Sequence, residues 1–102
     1  MITNTHSVGA VHEAVIRWQL EKGTFSTKWS LPVVGETWDG YLNNINGFHV
    51  QKEHVFQAMD SAQSGPIEEG NVGGGTGMVC YEFKGGSGTA SRIMKTGAGT
   101  FT

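Results

Sequence analysis

The sequence is short of most features that would narrow its function quickly. One cysteine, Cys80, stands in 102 residues, so no disulfide can form within the chain. That usage is consistent with a reducing compartment such as the bacterial cytoplasm. Only 16% of the residues are charged and the net charge is −2. The few Lys and Arg residues are scattered, so no basic patch is available for nucleic acid or an anionic membrane surface. No apolar run approaches the roughly 20 residues that a bilayer span needs. The opening MITNTHSVG has neither the basic flank nor the apolar stretch of a secretory signal. Proline is limited to Pro32 and Pro66, and hydrophobic residues make up 37%. A chain of this size and composition holds at most one domain, with a small core.

What the sequence has in excess is glycine, with 16 residues. The densest stretch is Gly70 to Arg92, GNVGGGTGMVCYEFKGGSGTASR. Each ordered glycine gives up more backbone entropy than any other residue, so such density implies positive φ angles or close approach of the backbone to another group. The phosphate-binding spacings are nevertheless missing. G-x-G-x-x-G fails at Met78 or Cys80, and no lysine follows a glycine as G-x-x-x-x-G-K-[ST] requires.

A helix is expected over Val8 to Lys22. Ser7 is its N-cap, Val8, Val11, Val15 and Trp18 form one apolar face, and Gly23 stops it. Thr24 to Ser30 reads as a loop. Trp29 to Val34 reads as an irregular or edge extended segment, because it contains Pro32. Asn46-Gly47 signals a hairpin turn. A second helix is expected over Lys52 to Gln63, with Val55, Phe56, Met59 and Ala62 on its apolar face. Met78 to Lys84 reads as one strand that alternates Val79, Tyr81 and Phe83 onto one side. Gly85-Gly86 would then reverse the chain, and Thr89 to Met94 would return as the partner. A last strand begins at Thr100, from which a piece of a longer chain is expected.

The residues that could carry chemistry are few. His12-Glu13 opens like the zinc motif H-E-x-x-H but reaches Ile16 instead of a second histidine, so no metal site is expected. No G-x-S-x-G elbow occurs, residue 1 is Met, and Cys80 reads as a small buried strand residue. The segment from Gly35 to Tyr41 packs Glu36, Trp38, Asp39 and Tyr41 between glycines, which suits side chains aimed into a cleft. A tyrosine phenol can donate to a developing oxyanion, and a carboxylate can receive an ammonium group. The bland alternative leaves Tyr41 packed and the two carboxylates solvated. The backbone of Gly74 and Gly75 could face a ligand or simply allow strands to approach.

Three stretches together resemble a known family: ITNTHSVG (2–9), PVVGETWDGYLN-x-ING (32–47), and GNVGGGTGM with FKGG-x-GTASR (70–92). They are similar to the β-aminopeptidases, the L-aminopeptidase/D-Ala-esterase/amidase group of self-cleaving serine peptidases. The resemblance spans nearly the whole chain. It implies a mixed α/β fold: part of an αββα sandwich with two helices on short, largely antiparallel strands, as in amino-terminal-nucleophile hydrolases. It implies hydrolysis of N-terminal amino acid amides, esters or peptides, including D- and β-amino ones. The serine nucleophile is expected beyond these 102 residues, on the remainder of a parent chain cut at a Gly-Ser or Asn-Ser bond. By the same resemblance Tyr41 stands beside the nucleophile. Glu36 or Asp39 receives the substrate ammonium, and Trp38, Gly74 and Gly75 contribute to the substrate pocket. Asn44 departs from the Asp expected after Leu-Asn. No cofactor is implied, and an oligomer is expected. The rival reading is a small ligand-binding or self-associating domain that uses the glycine loop without catalysis.

Overall fold

In a computed structural model the described residues are 1–25 and 27–102, so Ser26 of the expected 24–30 loop lies outside them. The structure is mixed α/β, with two helices and three two-stranded ladders. Strand β1 (Ile2–Asn4) leads through a 3-10 turn, Thr5–Ser7, into helix α1 (Val8–Lys22). Strand β2 (Gly35–Thr37) returns to lie parallel to β1, pairing Ile2 with Gly35 and Asn4 with Thr37. A 3-10 turn at Ile45–Gly47 precedes helix α2 (Lys52–Asp60). Strands β3 (Val79–Cys80) and β4 (Phe83–Lys84) pair antiparallel, as do β5 (Met94–Thr96) and β6 (Gly99–Phe101). Two of the three ladders are thus antiparallel.

The core lies between the two helices. Val11, Ala14 and Val15 of α1 and Val55 of α2 are buried, with Val34, Val50 and Met59 packed around them. This is the face that the 3–4 spacing of α1 marks. Gly23 ends α1 in the left-handed region at φ 65°, where a side chain would be strained. At the same end Asp60 of α2 ties the helices together. Its Oδ1 accepts from the Trp18 indole Nε1–H at 2.9 Å and pairs with Lys22 Nζ at 2.9 Å. Lys22 and Trp18 together hold the Asp60 carboxyl below the usual carboxylate range.

Several local expectations are corrected. Ile2–Asn4, assigned to no element from the sequence, is a strand, because β2 supplies the ladder partner that period-2 reading of three residues cannot reveal. The chain enters α1 already turning, so Ser7 has helical dihedrals and makes no side-chain cap bond. Of the two alternatives for 29–34 the irregular one holds: the segment forms no strand, and the ladder begins at Gly35. Asn46-Gly47 makes no hairpin: it belongs to a 3-10 turn followed by Phe48 at φ 49°. Helix α2 stops at Asp60 because the Ser61 hydroxyl takes up the Gln57 carbonyl at 2.7 Å, and Ala62 beyond it is exposed.

The reversal in the glycine-rich part falls at Tyr81-Glu82, with φ of 52° and 68°, instead of at Gly85-Gly86. Two consecutive left-handed residues are what a two-residue hairpin demands, and non-glycine side chains rarely advertise them. Val79, Tyr81 and Phe83 therefore share no continuous strand face, and Cys80 is exposed instead of buried. Thr89 to Met94 is no partner strand; β5 pairs with β6, so the final strand finds its partner within the chain.

Much apolar surface stays open. Tyr81 is 92% exposed, and Val33, Phe83 and Leu31 all exceed 70%. The accessible area is 7906 Å², against about 5,600 Å² for a compact chain of this mass. The radius of gyration is 16.0 Å where about 13 Å is usual.

Candidate active-site segment

The chain from Asp39 to Asn43 forms a tight turn, in which the amides of Leu42 and Asn43 both donate to the Asp39 carbonyl, at 3.3 and 2.9 Å. The Asn43 side chain then does two things at once. Its Nδ2 donates to Asp39 Oδ2 at 3.0 Å and to the Thr76 carbonyl at 3.1 Å. The turn is thereby tied to the glycine loop. Gly77, at φ 72°, lies against the Asn43 amide group so closely that a Cβ there would overlap it. A second tie comes from β2, where the Thr37 hydroxyl donates to the Gly74 carbonyl. The Gly77 amide donates to Asn71 Oδ1 at 3.0 Å, which closes the loop on itself.

The glycines at 74 and 75 have a packing reason. A Cβ on Gly74 would fall 2.6 Å from Ile2 Cγ2 of β1. One on Gly75 would overlap the Ser87 amide nitrogen and lie 2.6 Å from the Gly86 carbonyl carbon and 2.7 Å from the Gly70 oxygen. That approach belongs to an antiparallel bridge, in which Gly70 N donates to Ser87 O at 2.8 Å and Ser87 N to Gly70 O at 2.7 Å. Here glycine buys contact of backbone with backbone.

Between β1, α2 and the glycine loop lies an open cleft of about 510 Å³. Its apolar wall is formed by Val11, Val50, Val55 and Ala58, and its polar wall includes Asn4, Asp39 and Thr76. Asp39 is 6% exposed. Its Oδ1 and the Oδ1 of Asn4 are both buried with no hydrogen-bond partner. His54 also borders the cleft but is committed elsewhere, since its Nδ1 accepts from the Gln51 amide at 3.0 Å and caps α2.

Of the six residues singled out in the sequence, the cleft gathers Asp39 and Gly74. Gly75 is buried behind it in the bridge. Glu36 is exposed on β2 and accepts from the Thr5 hydroxyl at 2.6 Å. Trp38 is 56% exposed, with its indole over Gly40. Tyr41 rides on the pinned turn, is 78% exposed, and does not line the cleft. Among the described residues no cluster of three potential metal-ligating side chains occurs, and no helix is long and apolar enough to cross a membrane.

Sequence reasoning missed Asn4 and the bracing role of Asn43. Asn4 carried no signal before β1 was known to be a strand. The four-residue spacing of Asp39 and Asn43 fits a side-chain bond across one turn, but Asn43 reads equally as a turn former.

Known proteins resemble the chain over nearly all of it. It is 56% identical over 102 residues to a β-peptidyl aminopeptidase BapA of Sphingosinicella microcystinivorans, covering all of this chain and 26% of that protein. Among solved structures, the L-aminopeptidase D-Ala-esterase/amidase of Ochrobactrum anthropi, described as a variant of the Ntn hydrolase fold, superposes with a TM-score of 0.84. It is 51% identical, and the match covers 97% of this chain and 29% of that one. A Burkholderia β-aminopeptidase gives a TM-score of 0.82 at 56% identity, covering 91% and 26%. The chain therefore spans about a quarter of the length of these relatives. The profile of peptidase family S58 matches residues 1–102, and the chain belongs to that family.

Proposed function

We propose that this chain forms one wall of the active site of an aminopeptidase or amidase that hydrolyses N-terminal amino acid amides, esters or short peptides, D- or β-amino ones among them. In this reading a serine hydroxyl supplied from outside these 102 residues attacks the substrate carbonyl carbon. The C–N or C–O bond then breaks, the leaving group takes a proton, and water releases the acyl group. The observation that carries the reading is the turn at 39–43 pinned to the glycine loop by Asn43, at the edge of a cleft with a buried carboxylate. It is an arrangement rigid enough to present Tyr41 and a carboxylate at fixed positions.

Tyr41 then serves as hydrogen-bond or proton donor at the reacting carbonyl. Its exposure leaves the phenol free to meet groups that the rest of the protein brings. Glu36 or Asp39 receives the substrate ammonium, Trp38 forms part of the pocket wall, and Gly74 and Gly75 shape the loop behind it. The open surface, about 2,300 Å² in total above that of a compact chain and rich in exposed apolar side chains, favours burial against further protein: the rest of the parent chain, other subunits or both. The rival reading, a binding domain without catalysis, has the cleft in its favour but no phosphate-binding pattern in the glycine loop.

The test is hydrolysis of β-alanine p-nitroanilide by the complete protein that contains this chain, with and without Tyr41→Phe. Losing one oxyanion donor should lower kcat by about 10²–10³. Full activity in the variant would remove Tyr41 from the chemistry, and no hydrolysis of any amide, ester or peptide by the wild type would return the binding-domain reading.

A further inference from the structure

A second cleft, of about 390 Å³, adjoins the first at the Asn43 clamp. Asn43 and Thr76, bonded at 3.1 Å, line both clefts and form the wall between them. The two clefts differ in charge. The first has the Asp39 carboxylate and no lysine or arginine in its lining; the second has Lys84 and no carboxylate. The reversal at Tyr81-Glu82 brings Lys84 there: β4 sets it opposite Val79, and the next amide, that of Gly85, donates to the Met78 carbonyl at 2.7 Å. The ion pairs among the described residues engage Arg17, Lys22 and Lys52 and leave Lys84 without one.

The free donors narrow what this cleft can hold. The amides of Thr76, Gly77, Met78 and Gly85 all donate within the chain, that of Gly77 to Asn71 Oδ1 at 3.0 Å. These amides therefore form no nest for a phosphate. What remains is the Lys84 ammonium and the Nδ2 group of Asn71, whose oxygen is taken by Gly77. One cation and one amide match a single carboxylate. Leu42 and Met78 supply an apolar wall for the carbons beside it.

We propose that Lys84 and Asn71 receive the terminal carboxylate of a dipeptide substrate in this second cleft. The proposal rests on the hydrolase reading and extends it to the leaving-group side of the bond. Tyr41 stands in the turn between Asp39, which lines the first cleft, and Leu42, which lines the second. A scissile carbonyl at Tyr41 then has its amino-terminal side toward the first cleft and its leaving group toward the second. A wall one side chain thick suits one residue on either side of that bond. Lys84 is thus a specificity-determining residue, which favours a free dipeptide over the same dipeptide closed as an amide.

The experiment compares kcat/KM of the complete protein for β-alanyl-L-alanine and for β-alanyl-L-alanine amide. The two differ only at the carboxylate, so their ratio cancels any loss of stability or of Tyr41 geometry. Wild-type protein should prefer the acid by about threefold to tenfold, as an exposed charge pair allows. Lys84→Gln should bring the ratio to one, Lys84→Glu should take it below one, and Lys84→Arg should keep it. Sodium chloride at about 0.5 M should bring the wild-type ratio toward one by screening the pair, an arm that needs no variant to fold. A wild-type ratio of one at low salt, or a preference that survives Lys84→Gln, overturns the proposal and leaves the hydrolase reading intact, because both compounds are still cleaved. If no amide, ester or peptide is cleaved, the hydrolase reading falls and calorimetric titration with the same two compounds decides the site alone. Tighter binding of the acid that Lys84→Gln abolishes upholds it, and equal binding of acid and amide removes it.

Discussion

Replacing Gly75 by alanine should be among the most damaging single-methyl changes in the chain. The added Cβ meets backbone on three sides: the Ser87 nitrogen, the Gly86 carbonyl carbon and the Gly70 oxygen. None of these can rotate away as a side-chain tip would. Relief requires the 70–75 and 85–87 segments to part, which breaks the two hydrogen bonds of the Gly70–Ser87 bridge. Each is worth about 1 kcal/mol net, and overpacking a tight site adds about 1–3 kcal/mol. The sum, about 3–5 kcal/mol, is a large share of the 5–15 kcal/mol that holds a domain folded. Two other glycines calibrate it. Gly88 has open space around it and no positive φ, so Gly88→Ala should cost nothing measurable. Gly73 has open space but sits at φ 52°, so Gly73→Ala should cost about 1–2 kcal/mol from left-handed strain alone. Urea denaturation of the complete protein and the three variants gives the order 88, 73, 75. If Gly75→Ala unfolds at the same midpoint as Gly88→Ala, the close approach does not constrain the glycine loop and the argument fails.

Other changes probe the remaining links. Val55→Ala, which empties the α2 side of the helix–helix core, should cost about 2–3 kcal/mol by the same denaturation, whereas Ala62→Ser on the exposed end should fall within 0.5 kcal/mol. Asn43→Ala removes two hydrogen bonds and leaves Asp39 without a partner, so it should cost about 2–3 kcal/mol and lower amide hydrolysis by misplacing the 39–43 turn, read from kcat/KM on β-alanine p-nitroanilide. Asp60 has a folded pKa below its unfolded value, chiefly through Lys22 and then Trp18. Its stabilising contribution is therefore present above the unfolded pKa near 3.8 and is lost as pH falls through the lower folded value. Asp60→Asn should flatten the acid side of the stability curve below about pH 4 and leave its shape unchanged between pH 6 and 8, measured by melts across pH.

How much of this was legible in the sequence depends on whether the deciding interaction was local. Helix α1 had readable bounds because its apolar spacing and the Gly23 that follows it are local in the sequence. Strand β1 was not, because a three-residue stretch, Ile2–Asn4, becomes a strand only through β2, some thirty positions later. The hairpin at Tyr81-Glu82 was hidden by its residues: no Asn or Gly announces the left-handed pair, and the glycines that do attract attention, Gly85 and Gly86, serve the bridge to Gly70. Asp39 stood out because glycines flank it in an aromatic segment. Asn4 did not, since it joins Asp39 in lining the cleft only once the parallel ladder has placed β1 there.

Whether this segment receives the free amino end of a substrate can be read most directly from one ratio. It is kcat/KM of the complete protein for β-alanine p-nitroanilide over that for the N-acetylated compound. Acetylation removes the charge and two donors from the group that Glu36 or Asp39 would hold, so the ratio should exceed about 10² in the wild type and collapse toward one in either Glu36→Gln or Asp39→Asn, whichever removes the partner. Equal cleavage of the free and acetylated substrates by the wild type would contradict the account.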